Sequence, residues 1–477
     1  MSQTPRRPNV LLIYTDQQRY DTLGANGNDL IRTPNLDRLA AEGVTFSRAY
    51  VTTPLCVPSR VALFTGRYNH ANLSYNNGRL MYETETDYVS RFRAAGYETS
   101  LVGKNHCYPK DRVARTFDYA WDSNHCAVSR REPHYQKVAD VRGDKMQVPF
   151  AEDPLHRDED VTATTFRKAR EYLKGRSNDK PFLMWLSIAD PHPPYMVPEP
   201  YATMYDDVDV PDPAWREGEC DDKPYRQRLI VEWNRYDKEY PDGLVKKLKR
   251  IYWGMVSYID DELGALVAFL KERGLYDNTI IMFTSDHGDY MGDHRMIRKG
   301  PHLYEALVHV PLIAHWPGRF KPRVTDAMVA NIDIMPTLAE ICGVDDVSGT
   351  QGRSFAKVLA GACDKARTCV FLEHGNPGTP PLPDNVSREE YERLENDTGH
   401  HLCDTISRGR VKGVRTDRYK YCVTPGDVDE LYDLEADADE LVNLARRPEH
   451  GHTVVQHRTL ILDWLIETED TVNRRGL

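Results

Sequence analysis

Two apolar runs that each end in an acidic side chain constrain the fold of this chain more than any other feature. Residues 10–15 form a continuous hydrophobic run that stops at Asp16, and residues 279–285 form another that stops at Asp286. Unbroken apolar character is typical of parallel strands that are covered on both faces. Because α/β proteins place functional groups at the carboxyl ends of such strands, the sequence predicts an α/β fold with a site at one sheet edge.

Helical and strand-like patterns alternate along the chain. Residues 33–43 predict a helix with Thr33 as N-cap, Pro34 at the first position and Gly43 beyond the end. Apolar residues three or four apart predict an amphipathic helix over 246–274, which leads directly into the strand at 279–285. Further strands are predicted at 99–102 and 181–189.

Two domains are predicted, an α/β domain over residues 1–365 and a smaller C-terminal α+β subdomain over 366–477. The subdomain is expected to contain short strands at 368–373, 409–416 and 419–423 and a helix at about 453–467. Two stretches, 125–160 and 195–245, are rich in Pro, charged residues and Tyr without a clean period. We expect them to be long irregular insertions that shape a substrate pocket.

Charge and hydrophobicity exclude several classes of partner. The chain has 62 basic and 73 acidic side chains, a formal charge of -11, and no basic cluster stands out, so no nucleic-acid partner is expected. Its apolar runs fall short of the roughly 20 residues of a membrane-spanning helix, so no membrane is expected. The N-terminal residues lack a signal-peptide core, and nine cysteines without a CxxC pair suit a reducing compartment. We therefore expect a cytoplasmic protein.

The segment that begins at Cys56 carries the most specific signal. It reads Cys56-Val57-Pro58-Ser59-Arg60, followed by Leu63-Phe64-Thr65-Gly66-Arg67. This string resembles the signature of type I sulfatases, whose alkaline-phosphatase-like fold has a large mixed sheet flanked by helices. In that family a formylglycine-generating enzyme reads Cys-x-Pro-x-Arg and oxidises the cysteine to formylglycine. The resemblance, which covers most of the chain, implies that Cys56 becomes the nucleophile and that Arg60 holds it and supports a metal site.

The resemblance also implies a divalent cation, since the two acidic strand ends would meet beside Cys56. The corresponding positions are Asp16, Gln17, Cys56, Asp286 and His287. Many family members have a second aspartate where this chain has Gln17, and asparagine where it has His287. Ca²⁺ is the family's usual ion, and the imidazole ligand also suits Mn²⁺.

Four further residues match family positions that contact the nucleophile and sulfate (Lys104 and His106), the substrate near the leaving oxygen (His192) or the sulfate (Lys299). The implied mechanism begins with attack on sulfur by hydrated formylglycine, whose two hydroxyls sit on one carbon. His192 or Lys299 assists the leaving alcohol, and His106 takes the proton of the second hydroxyl so that sulfate departs. Two lysines, an arginine and a metal would form a cationic clamp around the anion.

Three interpretations of the function remain open at this point. The first is hydrolysis of a sulfate ester, with a small molecule or a sulfated oligosaccharide as substrate. The second is a phosphonate monoester or phosphodiester hydrolase, because such enzymes often carry the Asp-Gln and Asp-His pairs seen at Asp16 and Asp286 but generally lack the lysine and histidine of the Lys104 segment. The third is a non-catalytic protein that binds sulfated glycans. Aromatic residues in the expected insertions offer stacking surfaces for sugar or aryl rings: Tyr135, Tyr195, Tyr201 and Trp215. The oligomeric state is not readable.

Overall fold

The structure is a computed structural model that describes residues 7–123, 160–177, 179–234, 243–379, 381 and 407–469. Its strands are β1 Asn9–Thr15, β2 Val44–Phe46, β3 Ala49–Tyr50, β4 Glu98–Gly103, β5 Tyr119–Asp122, β6 Phe182–Ser187, β7 Thr279–Ser285, β8 Leu312–His315, β9 Arg323–Thr325, β10 Val329–Ala330, β11 Val370–His374, β12 Val411–Arg415, β13 Tyr419–Val423 and β14 Glu430–Asp433. Its α-helices are α1 Pro34–Glu42, α2 Cys56–Thr65, α3 Asn69–Asn72, α4 Tyr88–Ala94, α5 Lys110–Thr116, α6 Val161–Gly175, α7 Tyr225–Asn234, α8 Leu244–Glu272, α9 Glu305–Val308, α10 Ile334–Cys342, α11 Ala356–Leu359 and α12 Gly451–Glu469.

A large mixed sheet organises the first part of the chain, as the sequence predicted. Its eight strands lie in the order β5-β4-β6-β1-β7-β8-β2-β9. Strand β1 lies near the middle and pairs in parallel with both β6 and β7, whereas β8 runs antiparallel to β7 and β2. The predicted apolar strands at 99–102, 181–189 and 279–285 are therefore neighbours or near neighbours of β1.

Strand β1 supplies side chains to two separate cores, one on each face of the sheet. Leu11 and Ile13 pack in a cluster with residues of α6 and α8. Val10, Leu12 and Tyr14 pack in a second cluster with residues of α2 and α10. Because side chains alternate along a strand, burial on both faces requires an unbroken apolar run, and this explains the pattern read from the sequence.

The two helices predicted from their ends agree with the structure. Helix α1 begins at Pro34, and Thr33 occupies the N-cap position. The Thr33 hydroxyl accepts a hydrogen bond from the Gly24 backbone N–H at 2.9 Å and donates to Asp37 Oδ1 at 3.1 Å, so it ties the preceding loop to the helix. Helix α8 ends one residue before Arg273, and Gly274 follows with a φ of +63°, a conformation that favours glycine.

The C-terminal part forms a second, four-stranded antiparallel sheet in the order β11-β12-β13-β14. The three predicted strands and the predicted helix all appear, and β14 is an additional strand. Ile461 and Trp464 of α12 pack in one cluster with Val370, Leu372 and Val414 of this sheet. The domain boundary near residue 366 stays a prediction.

The two expected insertions have different outcomes. The stretch 125–160 lies outside the described residues except for Asp160, whose side chain caps α6 by accepting from the Ala163 backbone N–H at 3.1 Å. The expectation that 195–245 is irregular is wrong in part, because it contains a 3₁₀ turn at Glu219–Asp222 and helix α7. Helix α7 was not predicted because its apolar face, which includes Leu229 and Ile230, is short and lies among polar residues in the sequence.

The structure also shows the state of the cysteines and the apolar length of the helices. Of the nine cysteines, seven lie in the described residues, and all seven are free. Four of these seven are buried, at positions 56, 107, 342 and 422. Within the described ranges, no helix is both long enough and apolar enough to cross a membrane.

Candidate active site

The carboxyl ends of β1 and β7 bring the two predicted acidic groups together. The strands are parallel and in register, with Thr15 opposite Ser285, so Asp16 and Asp286 leave the sheet side by side. The Gln17 backbone N–H donates to Asp286 Oδ1 at 2.9 Å and ties the two strand ends. Both carboxylates are fully buried. The edge of the sheet therefore carries two acidic side chains that need compensating charge or a cation.

Cys56 is the first residue of α2 and points into this acidic edge. Its Sγ lies 3.8 Å from Asp16 Oδ1 and 3.3 Å from His287 Nε2. Lys299 Nζ donates to the same sulfur at 3.0 Å and to Gln17 Oε1 at 2.8 Å. The N-terminus of a buried helix also favours negative charge at this position. The thiol thus lies at the meeting point of two strand ends, a helix end and a lysine.

Arg60, one turn after Cys56, holds the two carboxylates. Its Nη2 donates to Asp16 Oδ2 at 2.8 Å, and its Nε donates to Asp286 Oδ2 at 2.9 Å. A third bond, from Nη1 to Ser187 Oγ at 2.6 Å, fixes the guanidinium against β6. Arg60 is completely buried, so the described geometry gives it a positioning role between the acidic groups.

Lys104 and His106 follow β4, as predicted, and both reach the same centre. Lys104 Nζ donates to Asp16 Oδ2 at 2.6 Å. A side-chain hydrogen bond links His106 with the Cys56 thiol. Gly103, with a φ of +109°, makes this approach possible, because a Cβ there would lie 1.9 Å from the Ser187 carbonyl oxygen.

His192 lies in a loop after β6 that contains two cis peptide bonds, Asp190-Pro191 and Pro193-Pro194. Its Nδ1 donates to the Pro193 carbonyl oxygen at 2.6 Å, which leaves Nε2 as the atom that can face a ligand. A side-chain hydrogen bond connects His192 with Cys56. With His192, all ten residues singled out from the sequence lie in one site.

The charges of the site shift its pKa values in opposite directions. Burial raises the pKa of the Cys56 thiol, but Lys299, Lys104 and His287 outweigh burial and hold it well below its usual range. Burial and Cys56 raise the pKa of Asp16, but Lys104, His192 and Arg60 outweigh them and hold it well below its usual range. Burial and the neighbouring Asp16 raise the pKa of Asp286 to about 6. The centre therefore favours negative charge at Cys56 and Asp16.

The donor set fits a divalent cation. Ligand atoms of Asp16, Cys56, Asp286 and His287 all lie within 4.8 Å of one another, and all four residues are buried. His287 Nδ1 donates to the Gly288 carbonyl oxygen at 2.8 Å, so Nε2 keeps its lone pair toward the cluster. The Gln17 amide oxygen lies at the same edge. Carboxylate and amide oxygens suit hard divalent ions such as Ca²⁺, and the imidazole nitrogen also suits Mn²⁺ and other transition ions.

The sequence reading missed residues that hold the ligands in place. Asp289 accepts hydrogen bonds from Gln17 Nε2 at 2.5 Å and from Tyr195 Oη at 2.7 Å, and thereby orients the Gln17 amide. The sequence offered one indication of this role, because Asp289 lies only three residues after the predicted metal ligand Asp286. Tyr195 and Tyr201 are buried and pack among the residues of α8, so neither presents a ring to a ligand, whereas Trp215 is 40% exposed. Tyr135 lies outside the described residues.

A sheet edge of this kind, with a nucleophile-bearing helix, grouped cation ligands and several lysine and arginine side chains, defines a hydrolase of esters of tetrahedral anions. The chain belongs to the sulfatase family, whose sequence profile, described as Sulfatase, matches residues 8–344.

Similar proteins extend this relationship over nearly the whole chain. An arylsulfatase of Clostridium perfringens is 27% identical over 492 residues, covering 97% of this chain and 95% of that protein. An N-acetylglucosamine-6-O-sulfatase of Bacteroides thetaiotaomicron is 27% identical and covers 94% of this chain and 84% of its own length. The solved phosphonate monoester hydrolase of Silicibacter pomeroyi has a TM-score of 0.78 at 25% identity, covering 98% of this chain and 97% of its own. The predicted fold, an alkaline-phosphatase-like mixed sheet with a smaller C-terminal sheet, is confirmed.

Proposed function

We propose that this chain hydrolyses a sulfate ester to an alcohol and inorganic sulfate, with Cys56 matured to formylglycine and one divalent cation at Asp16, Gln17, Asp286 and His287. The position of the Cys56 sulfur, 3.0 Å from Lys299 Nζ and 3.3 Å from His287 Nε2, is the observation that carries the proposal. The family and the arylsulfatase relative support the same reaction. Ca²⁺ is the first candidate, and Mn²⁺ is the alternative that the imidazole allows.

When bound, the metal supplies Lewis-acid stabilisation of the sulfuryl oxygens, and the aldehyde hydrate supplies the attacking oxygen. The chain's own groups provide the remaining charge. Lys299 is the cation nearest the position of the nucleophile, and its Nζ can move from Cys56 and Gln17 to a sulfate oxygen. Lys104 and Arg60 hold Asp16 ionised through hydrogen bonds of 2.6 and 2.8 Å, which keeps this carboxylate available to the cation.

Proton transfers are assigned to the two histidines. Burial, with Lys299 and Lys104, lowers the pKa of His192 to about 4, and its Nδ1 donates to the Pro193 carbonyl oxygen, so Nε2 of the neutral ring carries a lone pair. His192 can therefore give a proton to the leaving alcohol only from its imidazolium form, which the negative charge of a bound ester would favour, and the Lys299 ammonium is the alternative donor. His106, which has a side-chain hydrogen bond to Cys56, takes the proton of the second hydroxyl. Two imidazoles that both reach the Cys56 position allow different residues to act as acid and base.

The substrate class that we propose is a sulfated mono- or oligosaccharide. The relative named as an N-acetylglucosamine-6-O-sulfatase supports it. A small pocket of about 10 Å³ near the Cys56 helix brings the Tyr75 ring close to Thr53, His374 and Arg410. A phosphonate monoester is the second candidate, supported by the resemblance to the solved phosphonate monoester hydrolase.

The experiment begins with peptide mass spectrometry of the tryptic fragment 49–60 from protein purified from its native host. Loss of sulfur with gain of an aldehyde at Cys56 is the expected result, and an intact thiol in an active sample would contradict the proposal. Side-by-side kcat/KM values for 4-nitrophenyl sulfate and an aryl phosphonate then decide between the two esters, because promiscuity makes only the ratio informative. Elemental analysis identifies the metal, and a chelator should lower the Tm if the cation stabilises the fold.

A further inference from the structure

Three buried nitrogen-bearing side chains near the candidate active site have donor atoms that the described structure leaves unused. Arg226, in the first turn of α7, is 1% exposed, and Nε, Nη1 and Nη2 all lack a hydrogen-bond partner among the described residues. His302 is 3% exposed and His374 is 6% exposed. His302 Nε2 and His374 Nδ1 are likewise unpaired within the part of the chain that the structure describes. Unsatisfied buried polar groups are rare, and each requires an explanation.

The three side chains come from distant parts of the sequence but lie close enough to influence one another's charge, and we call them a cluster in this sense. Arg226 is the strongest charged neighbour of both His302 and His374, and His374 also acts on His302. Tyr290 Oη and His302 Nδ1 are 2.7 Å apart, which orients the ring and directs Nε2 away from Tyr290. The contact of α7 with β14 and the 290–307 segment, through Leu229, Ile230 and Tyr432, builds the pocket wall.

The cluster lies beside the reaction centre. Gly300, next to Lys299, approaches Tyr290 and α7 so closely that a Cβ there would lie 2.9 Å from Tyr290 Oη and 3.5 Å from Ile230 Cδ1. His287, a member of the metal-ligand group, is among the charges that act on His374. His374 also lines the small pocket that reaches Thr53, three residues before Cys56. His374 thus connects the cluster with the pocket wall next to the Cys56 helix.

The charge of the cluster matches a single negative group. Burial, reinforced by Arg226, holds the pKa of His302 well below its usual value and lowers that of His374 to about 3, so both rings are neutral at pH 7 and donate without charge. Arg226 supplies one positive charge. Three carboxylates act on the cluster, and each is hydrogen-bonded to another group: Asp427 accepts from the Tyr225 backbone N–H, Glu430 from Tyr432 Oη and Glu373 from Lys412 Nζ. Among the described residues none forms an ion pair with Arg226.

We propose that Arg226, His302 and His374 form a subsite for a second anionic group, a carboxylate or a second sulfate, on the substrate whose ester is cleaved at Cys56. This inference rests on the proposed sulfatase function and narrows the substrate class to dianionic esters. A guanidinium with two neutral N–H donors is a suitable set for an oxyanion, and the hydrogen bonds would satisfy the unused donors.

The test compares matched substrates that differ only in the second anion. The 2-, 3- and 4-sulfooxybenzoates are assayed against their sulfooxybenzamides, and D-glucosamine 2-N,6-O-disulfate against N-acetyl-D-glucosamine 6-O-sulfate, whose nitrogen is uncharged. In one of the two sets we expect the dianion to have a higher kcat/KM by roughly 10- to 100-fold, mainly through KM. A preference for the benzoates would show that the subsite binds a carboxylate, and a preference for the disulfate would show that it binds a second sulfate.

Arg226→Met should remove this preference and leave turnover of the singly charged substrates within about twofold of wild type. Arg228→Met is the matched control, because Arg228 lies on the same helix with a side chain 43% exposed, and it should keep the preference. His374→Leu should reduce the preference by a smaller factor. Equal selectivity of wild type and Arg226→Met in both arms would overturn the subsite.

Binding to the Cys56→Ala protein separates failure of the subsite from failure of the proposed function. Isothermal titration in this background should show that Arg226→Met weakens binding of the preferred dianion by roughly 10- to 100-fold and hardly changes the monoanion. If wild type hydrolyses no sulfate ester, the sulfatase proposal is wrong, and the titration still decides the subsite. If Arg226→Met does not fold, the His374→Leu titration decides it.

Discussion

Two buried arginines lie in regions of the molecule with opposite surroundings. Arg60, beside Cys56, donates to Asp16, Asp286 and Ser187 and is part of a closed set of charges. Arg226, on α7, is just as deeply buried, but its guanidinium donates to none of the described residues. Asp286 and Asp16 outweigh burial and raise the pKa of Arg60 above its usual value, whereas burial outweighs Asp427 and Glu430 and lowers that of Arg226.

This difference separates a region that is complete without substrate from one that is not. Around Arg60 the chain provides both signs of charge, so the geometry of the proposed metal ligands and of Cys56 is set in advance. Around Arg226 the acidic neighbours Asp427 and Glu430 accept none of the guanidinium hydrogen bonds, and in our proposal a ligand supplies the missing acceptor. A charged side chain that is buried without a hydrogen-bond partner destabilises the fold, and a bound anion would offset this cost.

The largest expected effect tests whether the paired region is the reaction centre. Cys56→Ala should lower kcat for a sulfate ester by a factor on the order of 10³ or more, because the precursor of the nucleophile is removed. Cys342→Ala is the control, since Cys342 is also buried but lies in α10. Steady-state release of sulfate measures both variants, and full activity of Cys56→Ala would contradict the mechanism.

The next effect tests the pairing of Arg60. Arg60→Met should lower the free energy of unfolding by about 3–5 kcal/mol, because two buried carboxylates lose their common partner. Urea denaturation of the chelator-treated protein measures this change without a contribution from bound metal. If Arg60→Met lowered the free energy of unfolding no more than Arg226→Met does, the surroundings of the two arginines would not differ in the way described.

Arg226→Met should change the free energy of unfolding in the opposite direction. Replacing an unpaired buried charge with an apolar side chain of similar size should raise the free energy of unfolding by about 1–3 kcal/mol in the absence of substrate. Urea denaturation beside Arg60→Met gives a direct comparison of the two arginines, with Arg228→Met as the exposed control. A clear destabilisation would show that Arg226 has a structural role and would weaken the case for an empty anion subsite.

The same contrast explains how much could be predicted from the sequence. Strand β1 was predictable because burial on both faces demands an unbroken apolar run, and Asp16 and Asp286 were recognisable because they end such runs. The residues around Cys56 belong to short contiguous motifs. The predicted helices α1 and α8 also have clear end signals at Pro34 and Gly274.

The rest could not be read from local patterns. Helix α7 buries only a few residues against partners from β14 and the 290–307 segment, so its period is too weak to stand out among charged side chains. Arg226, His302 and His374 meet only through tertiary packing, and no spacing rule links them. Whether a buried arginine is paired depends on residues far away in the sequence, as Asp16 and Asp286 lie 44 and 226 positions from Arg60, and this information appears only in the folded chain.

The smallest effect concerns Glu219, the paired carboxylate next to α7. It accepts from His294 Nδ1 at 2.5 Å and from Gln227 Nε2 at 3.2 Å. Burial raises the pKa of Glu219, but His294 and Lys223 outweigh burial and hold this pKa below the usual 4.5. Ionised Glu219 therefore stabilises the fold above pH 4.5, and this contribution is lost as the pH falls through the pKa of the folded state. Glu219→Gln should therefore cost about 1 kcal/mol at pH 7 and progressively less below pH 4.5, where the wild-type carboxyl also becomes neutral. Urea denaturation between pH 7 and pH 4 measures the difference, with the exposed Glu217→Gln as control. A cost independent of pH would mean that Glu219 acts through packing, and the contrast between paired and unpaired charges would then not extend to α7.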